Sequence, residues 1–296
     1  MSSEVKGNLL GIIALLLWST LVGLIKNVSV SFGVEAGTAL IYSIATIFSF
    51  IVGAPKLKDI PIKYFFMAGT AFILTEIFFS QAIAMAKTPS QVLEAGMLNY
   101  LWPSLTILFS MIINNVKLRW IIWLGILVTI FGMYLCIGAS GGLSINSIIA
   151  NINNNPIAYI FATLGAISWA LYSNLSVKYS KGVNGVSYFF AIVAIILWIR
   201  FFISGANIAM TSYFSLFSLI VLGAILGLSY LIWEKAIHKG NFIFLVICSY
   251  FIPAVSMIFA SILLKSFPNF EYWIGVIFVI IGSLLSWLSK SYNIDK

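Results

Sequence analysis

The sequence predicts an all-α membrane protein of ten transmembrane helices in two inverted five-helix repeats, and three observations lead there. Of 296 residues, 61% are apolar and only 8% charged, against roughly a quarter charged in an average globular domain, so the chain cannot clothe a water-facing surface. Apolar runs recur at the length of about 20 residues that a helix needs to cross roughly 30 Å of hydrocarbon. The second half of the chain also repeats the pattern of the first.

The apolar runs predict spans at 7–26, 35–54, 62–85, 90–113, 119–138, 156–178, 185–203, 213–235, 241–264 and 270–289. The stretches between them are too short for an independent soluble domain, which excludes extracellular enzyme domains, nucleic-acid modules and cytosolic folds. Lys6 before the first run resembles a signal-peptide start, but no small-residue cleavage site follows and further spans do, so the first run is read as an uncleaved span. Cys136 and Cys248 lie inside apolar runs and imply no disulfide framework.

The net charge of +8 is placed as a topology signal and not as a nucleic-acid patch. With ten spans, Lys6, Lys56, Lys58, Lys63, Lys117, Arg119, Lys178, Lys181, Lys235, Lys239, Lys290 and Lys296 fall on one side. Lys26, Lys87, Arg200 and Lys265 fall on the other. Basic residues accumulate in cytoplasmic loops, so both termini are expected in the cytoplasm.

The repeat is read by sliding the chain on itself. At an offset of 154, Gly11, Leu17, Ser19 and Leu21 meet Gly165, Leu171, Ser173 and Leu175, and Leu74, Ala82 and Ile83 meet Leu228, Ala236 and Ile237. From the fourth span the offset is 150, pairing Tyr100 with Tyr250, Pro103 with Pro253, Trp123 with Trp273, Gly125 with Gly275 and Gly132 with Gly282. Five spans per repeat is an odd number, so the second copy is inverted. Such folds place the substrate site near the midplane between the halves. The expected division is a first repeat over 1–138, an external linker over 139–155 and a second repeat over 156–296. In the linker, Ile145, Ile148, Ile149 and Ile152 follow helical spacing; a short surface helix and an unstructured linker are both open.

Enzyme signatures are absent or geometrically excluded. Gly138-Ala139-Ser140-Gly141 has the G-x-S-G form of rhomboid-type proteases, whose serine needs a histidine base. The single histidine, His238, falls about a membrane thickness away by the predicted topology. No H-E-x-x-H, Walker loop or Cys/His cluster occurs, so neither metal nor cofactor is expected and the chain is not read as an enzyme.

Ionisable residues inside spans cost about 2.5–3.5 kcal/mol at the helix centre and default to functional roles. Glu76 sits mid-span with Phe79, Ser80 and Ile83 on its face, and the equivalent face of span eight carries Tyr230, Trp233, Glu234 and Ile237. These stripes are expected to face a shared cavity; the bland reading is a helix-to-helix hydrogen bond with core aromatics. Span four opens on Thr88-Pro89-Ser90-Gln91, a capped helix start. Glu94, one turn inside, is read as a counter-charge, a proton shuttle or a partner of Lys87. Further in, Pro103 frees the carbonyl of Asn99 and Pro253 that of Ser249, which predicts a kink at the same depth in each half. Aromatic rings beside a kinked helix, Tyr100 and Trp102 here, suit an aromatic ligand or a cation. Trp120, Trp123, Trp273 and Trp287 lie near span ends as interfacial belt residues do.

At Leu17-Trp18-Ser19-Thr20-Leu21-Val22-Gly23-Leu24, Asn99-Tyr100-Leu101-Trp102-Pro103-Ser104-Leu105 and Ser249-Tyr250-Phe251-Ile252-Pro253, the chain resembles the aromatic amino acid exporters of the drug/metabolite transporter (EamA-type) superfamily. The resemblance runs from about residue 7 to 289. It implies a cavity lined by spans 1, 3, 4, 6, 8 and 9, supported by spans 5 and 10. It would place Trp18, Glu76, Phe79, Glu94, Asn99, Tyr100, Trp102, Trp169, Tyr172, Tyr230, Trp233 and Tyr250 near the substrate. The chain departs from the family pattern at Glu234-Lys235, where an amide and an apolar residue are usual, and at Cys248, where glycine is.

The expected function is export of aromatic amino acids (Phe, Tyr, Trp) through a bacterial inner membrane by alternating access, facilitative or proton-linked. The expected partners are a small-molecule substrate, the lipid bilayer and, if coupled, protons. An alternative is a multidrug exporter of lipophilic cations such as methyl viologen, or of another small metabolite, with Glu76 and Glu94 as counter-charges and proton sites. A third reading is a membrane scaffold that transports nothing, which predicts no ligand-dependent thermal shift.

Overall fold

A computed structural model of the chain describes residues 2–117, 119–209 and 213–289; side chains at 140, 141, 214, 234, 237, 238, 242, 243, 246 and 247 lie outside the description. Among the described residues the secondary structure is entirely helical. Among the described residues nine helical segments are long and apolar enough to cross a membrane, and Ile252–Leu263 is a shorter apolar helix. The Ser140 and His238 side chains, which the sequence reading keeps too far apart for a catalytic dyad, and the Glu234 side chain fall outside the described residues.

The first span corrects the expected 7–26. It runs from Ser3 to Phe32 as α1 (Ser3–Ser19) and α2 (Leu21–Phe32), broken at Thr20. The Ser19 hydroxyl donates to the Leu16 carbonyl at 2.6 Å and the Thr20 hydroxyl to Leu17 at 2.8 Å. Adjacent hydroxyls bonding back into the preceding turn bend a helix. The next spans are α3 (Val34–Gly53) and α4 (Gly69–Met85), the latter entered through a π turn over Tyr64–Ala68.

The fourth and ninth spans are each two helices, α5 (Pro89–Asn99) with α6 (Trp102–Ile113), and α12 (Phe242–Ser249) with α13 (Ile252–Leu263). Proline is the second residue of both α6 and α13, where a missing N–H costs no helical bond. Each break is closed by the same short turn. Leu101 N–H donates to Leu98 O at 3.1 Å, and Phe251 N–H to Cys248 O at 3.1 Å. The predicted kinks are therefore full interruptions of the helix.

The remaining helices are α7 (Ile121–Gly141), α8 (Ile145–Asn154), α9 (Pro156–Tyr179), α10 (Val186–Ser204), α11 (Tyr213–Lys239) and α14 (Phe270–Leu288). Of the two linker readings, the helix is the one found. The Ser144 hydroxyl caps α8, and Asn155 behind it donates to Met85 O and Gln91 Oε1.

Helix directions follow from which residues touch. Along α3 and α10, Glu35 meets Arg200 at 3.4 Å, Ser43 accepts from the Trp198 indole at 2.9 Å and Phe50 packs on Tyr188, so the two run antiparallel. Phe72 on Tyr172 and Phe78 on Phe161 make α4 and α9 antiparallel. In α7 and α14 the glycines of the two W-x-G motifs meet back to back. A Cβ on Gly132 would stand 2.6 Å from the Gly275 carbonyl, and one on Gly282 2.6 Å from that of Gly125. Between membrane helices there is no hydrophobic drive, and small residues let backbones approach for dispersion contact.

Gly132→Leu or Gly275→Leu must therefore push α7 from α14. Overpacking of this kind costs about 1–3 kcal/mol, and thermal unfolding in detergent is expected to show a fall of at least about 2 °C in Tm. An unchanged Tm in both variants would contradict the close approach.

Candidate functional site

Mid-bundle, aromatic side chains from five helices converge on Trp169 of α9. Its ring lies 5.3 Å from Tyr172, 5.8 Å from Tyr230 of α11, 6.2 Å from Trp102 of α6 and 6.5 Å from Trp18 of α1. Trp18 also meets Tyr230 at 5.2 Å and Trp233 at 5.4 Å. Four of these six pairs are edge-to-face, an arrangement that the ring quadrupole favours. Six of the sequence-selected residues thus form one cage.

The breaks in the helices help to aim these rings. Trp18 lies just before the interruption at Thr20, and Trp102 is the first residue of α6 after the interruption at Tyr100 and Leu101. Tyr100 and Tyr250 are both buried at the equivalent breaks. Asn99 and Phe79 meet α9 one turn from Trp169: a Cβ on Gly165 would stand 3.4 Å from Asn99 Oδ1 and 3.5 Å from Phe79 Cβ. Two buried polar atoms here have no hydrogen-bond partner, Asn99 Oδ1 and Trp18 Nε1. Buried polar atoms are nearly always paired, so an unmet acceptor and an unmet donor beside one aromatic cage suit a ligand that brings both.

Glu76 adjoins the cage. The residue is 4% exposed, and the hydroxyls of two tyrosines from other helices reach its carboxyl. Tyr230 donates to Oε1 at 2.6 Å and Tyr42 of α3 to Oε2 at 2.8 Å. The bond between helices is therefore present, and the Tyr230 ring that makes it also packs on Trp18 and Trp169. Glu76 and Tyr230 are also separated by 154 residues, the offset of the repeat, as are Trp18 from Tyr172 and Phe79 from Trp233.

Glu94 lies elsewhere. The residue is 1% exposed, and its carboxylate accepts from the Tyr159 hydroxyl and from Asn151 of the linker helix. It borders a cleft of about 180 Å³ with Ser90, Cys136, Asn269 and Tyr272. The Lys87 ammonium donates to the Asn154 carbonyl at 2.7 Å. Among the described residues no group of three or more His, Cys, Asp or Glu side chains converges as metal ligands do.

Three contributors went unread in the sequence. Tyr42 carries a phenol inside an apolar run, and a buried tyrosine hydroxyl needs a partner, which was the available signal. Phe72 lies one turn before Glu76 on the same face and touches Trp169, Tyr172 and Tyr230. Phe190 of α10, 5.5 Å from Tyr230 and 6.0 Å from Tyr42, carried no signal apart from its hydrophobicity.

The profile of the EamA-like transporter family matches this chain twice, over residues 5–138 and 156–288. The chain belongs to the EamA-like transporter family. As an EamA-like transporter it is an integral membrane protein and not an enzyme. It is 37% identical over 285 residues to the aromatic amino acid exporter YddG of Salmonella typhimurium (strain 14028s / SGSC 2262), covering 96% of this chain and 97% of that protein. To the aromatic amino acid exporter YddG of Escherichia coli (strain K12) it is 38% identical, with the same coverage. A crystal structure that is 21% identical superposes with a TM-score of 0.66, covering 97% of this chain and 98% of the other, and supports the fold.

In this EamA-like transporter, Tyr230→Phe leaves one buried carboxyl oxygen of Glu76 without its donor, a loss of about 1–3 kcal/mol. The expected result is a fall in detergent Tm that shrinks when the same change is made in a Glu76→Leu background, the pattern of two coupled residues. Equal falls in both backgrounds would mean that the hydrogen bond contributes nothing.

Proposed function

We propose that this EamA-like transporter exports aromatic amino acids by alternating access, with the cage around Trp169 as the substrate site. The observation that carries this reading is the pairing of that cage with an unmet donor on Trp18 and an unmet acceptor on Asn99. An aromatic amino acid presents a flat ring, a carboxylate and an ammonium. Its ring stacks against Trp169 and Trp102, its carboxylate accepts from the Trp18 indole, and its ammonium donates to Asn99 within the negative field of Glu76. The N-termini of α6 and α13, freed mid-membrane, add partial positive charge toward the carboxylate. The two bacterial relatives, both aromatic amino acid exporters, support the substrate class.

The wider architecture in this proposal is ten spans in two inverted repeats, over 1–138 and 156–296, joined by the linker at 139–155. Three facts support it: the family profile matches twice, the two broken spans share one turn, and equivalent helices such as α3 with α10 and α7 with α14 run antiparallel. The placement of basic residues supports an inner-membrane protein with both termini in the cytoplasm. Phe79, Tyr100, Tyr172, Tyr230, Trp233 and Tyr250 complete the proposed site, while Glu94 is proposed as an accessory group at the side cleft. The buried Glu76 carboxyl beside aromatic rings also favours a second reading, export of lipophilic aromatic cations.

Full-length protein in liposomes loaded with labelled phenylalanine tests the first reading. Saturable efflux above that from empty liposomes is expected, slowed roughly tenfold by Trp169→Ala, the equivalent of about 1.4 kcal/mol. Efflux of methyl viologen without efflux of phenylalanine would replace the first reading with the second. Efflux of neither, from folded protein, would contradict both.

A further inference from the structure

We propose that Glu76 is a proton-binding site that couples proton entry to substrate exit; this rests on the exporter reading above. The geometry around the carboxyl satisfies both of its protonation states. When Glu76 is ionised, Tyr230 donates to Oε1 at 2.6 Å and Tyr42 to Oε2 at 2.8 Å, while the Glu76 main-chain carbonyl keeps the Ser80 hydroxyl at 2.6 Å. When a proton arrives on Oε2, that O–H donates to Tyr42 Oη along the same 2.8 Å contact. Tyr42 then turns its own hydrogen to the Glu76 main-chain carbonyl, 3.0 Å away, and Tyr230 stays where it is. The proton is taken up and released by rotating one hydroxyl, with no heavy atom displaced and no hydrogen bond lost. A buried carboxyl that served only to tie helices would need just one of these patterns.

The groups facing Glu76 leave the proton as its natural counter-charge. From α3 comes Tyr42 and from α11 Tyr230, with Tyr172 and Trp169 of α9 behind the Tyr230 ring. From α10 comes Phe190, which packs against both tyrosines. Lys26 of α2 is committed to the carbonyls of Ala84 and Ala86 at the C-terminal end of α4. Glu94 of α5 is held by Tyr159 and Asn151, and Tyr64 of the π turn accepts from the Gly185 N–H. Among the described residues the ion pair formed is Glu35 with Arg200, and Glu76 takes part in none.

Coupling follows from the position of Tyr230. One face of that residue is the donor to Glu76, and its ring is 5.2 Å from Trp18 and 5.8 Å from Trp169, so one phenol separates the carboxyl from the ligand space. Charges interact far more strongly there than in water. A substrate ammonium in the cage favours the ionised carboxyl, and a proton on the carboxyl removes that attraction, so the two compete for one state of the protein. Substrate leaving and proton entering then become an exchange, with the proton released to the cytoplasm when the next substrate binds.

The test uses full-length protein in liposomes that contain labelled phenylalanine and a trapped pH dye, with and without an acid step outside. For the wild type, the acid step is expected to speed efflux several-fold, and the lumen acidifies only when phenylalanine is present. In Glu76→Gln, whose amide copies the protonated pattern, the ratio of efflux with the step to efflux without it is expected to fall to one, whatever the absolute rate. Tyr42→Phe, which removes the alternative acceptor, is expected to lower the same ratio and serves if Glu76→Gln does not fold. A wild type that exchanges labelled for unlabelled phenylalanine but ignores the acid step overturns the proton site alone. So does either variant that keeps the full wild-type ratio. No exchange by the wild type overturns the exporter reading, and the proton site with it.

Discussion

A carboxyl group in hydrocarbon must be given its hydrogen bonds by protein, because the bilayer offers none. That constraint organises the centre of this molecule. Glu76 on α4 draws the hydroxyl of Tyr42 from α3 and that of Tyr230 from α11, which ties helices from both halves of the chain to one point. The ring of Tyr230 that reaches Glu76 also lies against Trp18 and Trp169. The aromatic cage is therefore built on the same contact that satisfies the charge. Losing that contact would cost more than a hydrogen bond, since it orients a ring on the wall of the proposed substrate site.

Around this point the chain spends its irregular backbone where it serves the site. The first, fourth and ninth spans are interrupted, at Thr20, at Tyr100 with Leu101, and at Tyr250 with Phe251. Two interruptions arise from proline and the third from hydroxyls bonding back into the preceding turn. Freed backbone groups are tolerated at membrane depth only within protein or beside a wet cavity, and Trp18 and Trp102 stand at two of these breaks. The outer pair α7 and α14 is the opposite case: uninterrupted, and packed glycine to glycine so tightly that a Cβ would enter the facing backbone. Close glycine packing and interrupted backbone are thus assigned to different helices.

Much of this was legible in the sequence because membrane constraints leave strong marks. The Trp and Gly pairs of spans five and ten were readable as a repeat, the prolines announced two of the breaks, and Glu76 announced itself as an ionisable group in an apolar run. What escaped depended on direction around a helix. Glu94 and Asn99 lie five residues apart on α5 and therefore point roughly 140° apart. Asn99 turns toward Gly165 of α9 and the cage, while Glu94 turns toward the side cleft and Asn151 of the linker helix. Depth in the membrane was readable for both, and facing was not. Tyr42 was missed because its role exists only in relation to Glu76 on another helix, and Thr20 because Ser-Thr pairs are common in helices that stay straight.

The central claim is that the cage around Trp169 is where the substrate sits, and a crystal structure with 4-bromophenylalanine tests it most directly. The account predicts anomalous bromine density among Trp18, Trp102, Trp169 and Tyr230, with the amino acid end toward Asn99 and the Trp18 indole. Bromine in the cleft beside Glu94 and Tyr272, with the cage rings undisturbed, would contradict it.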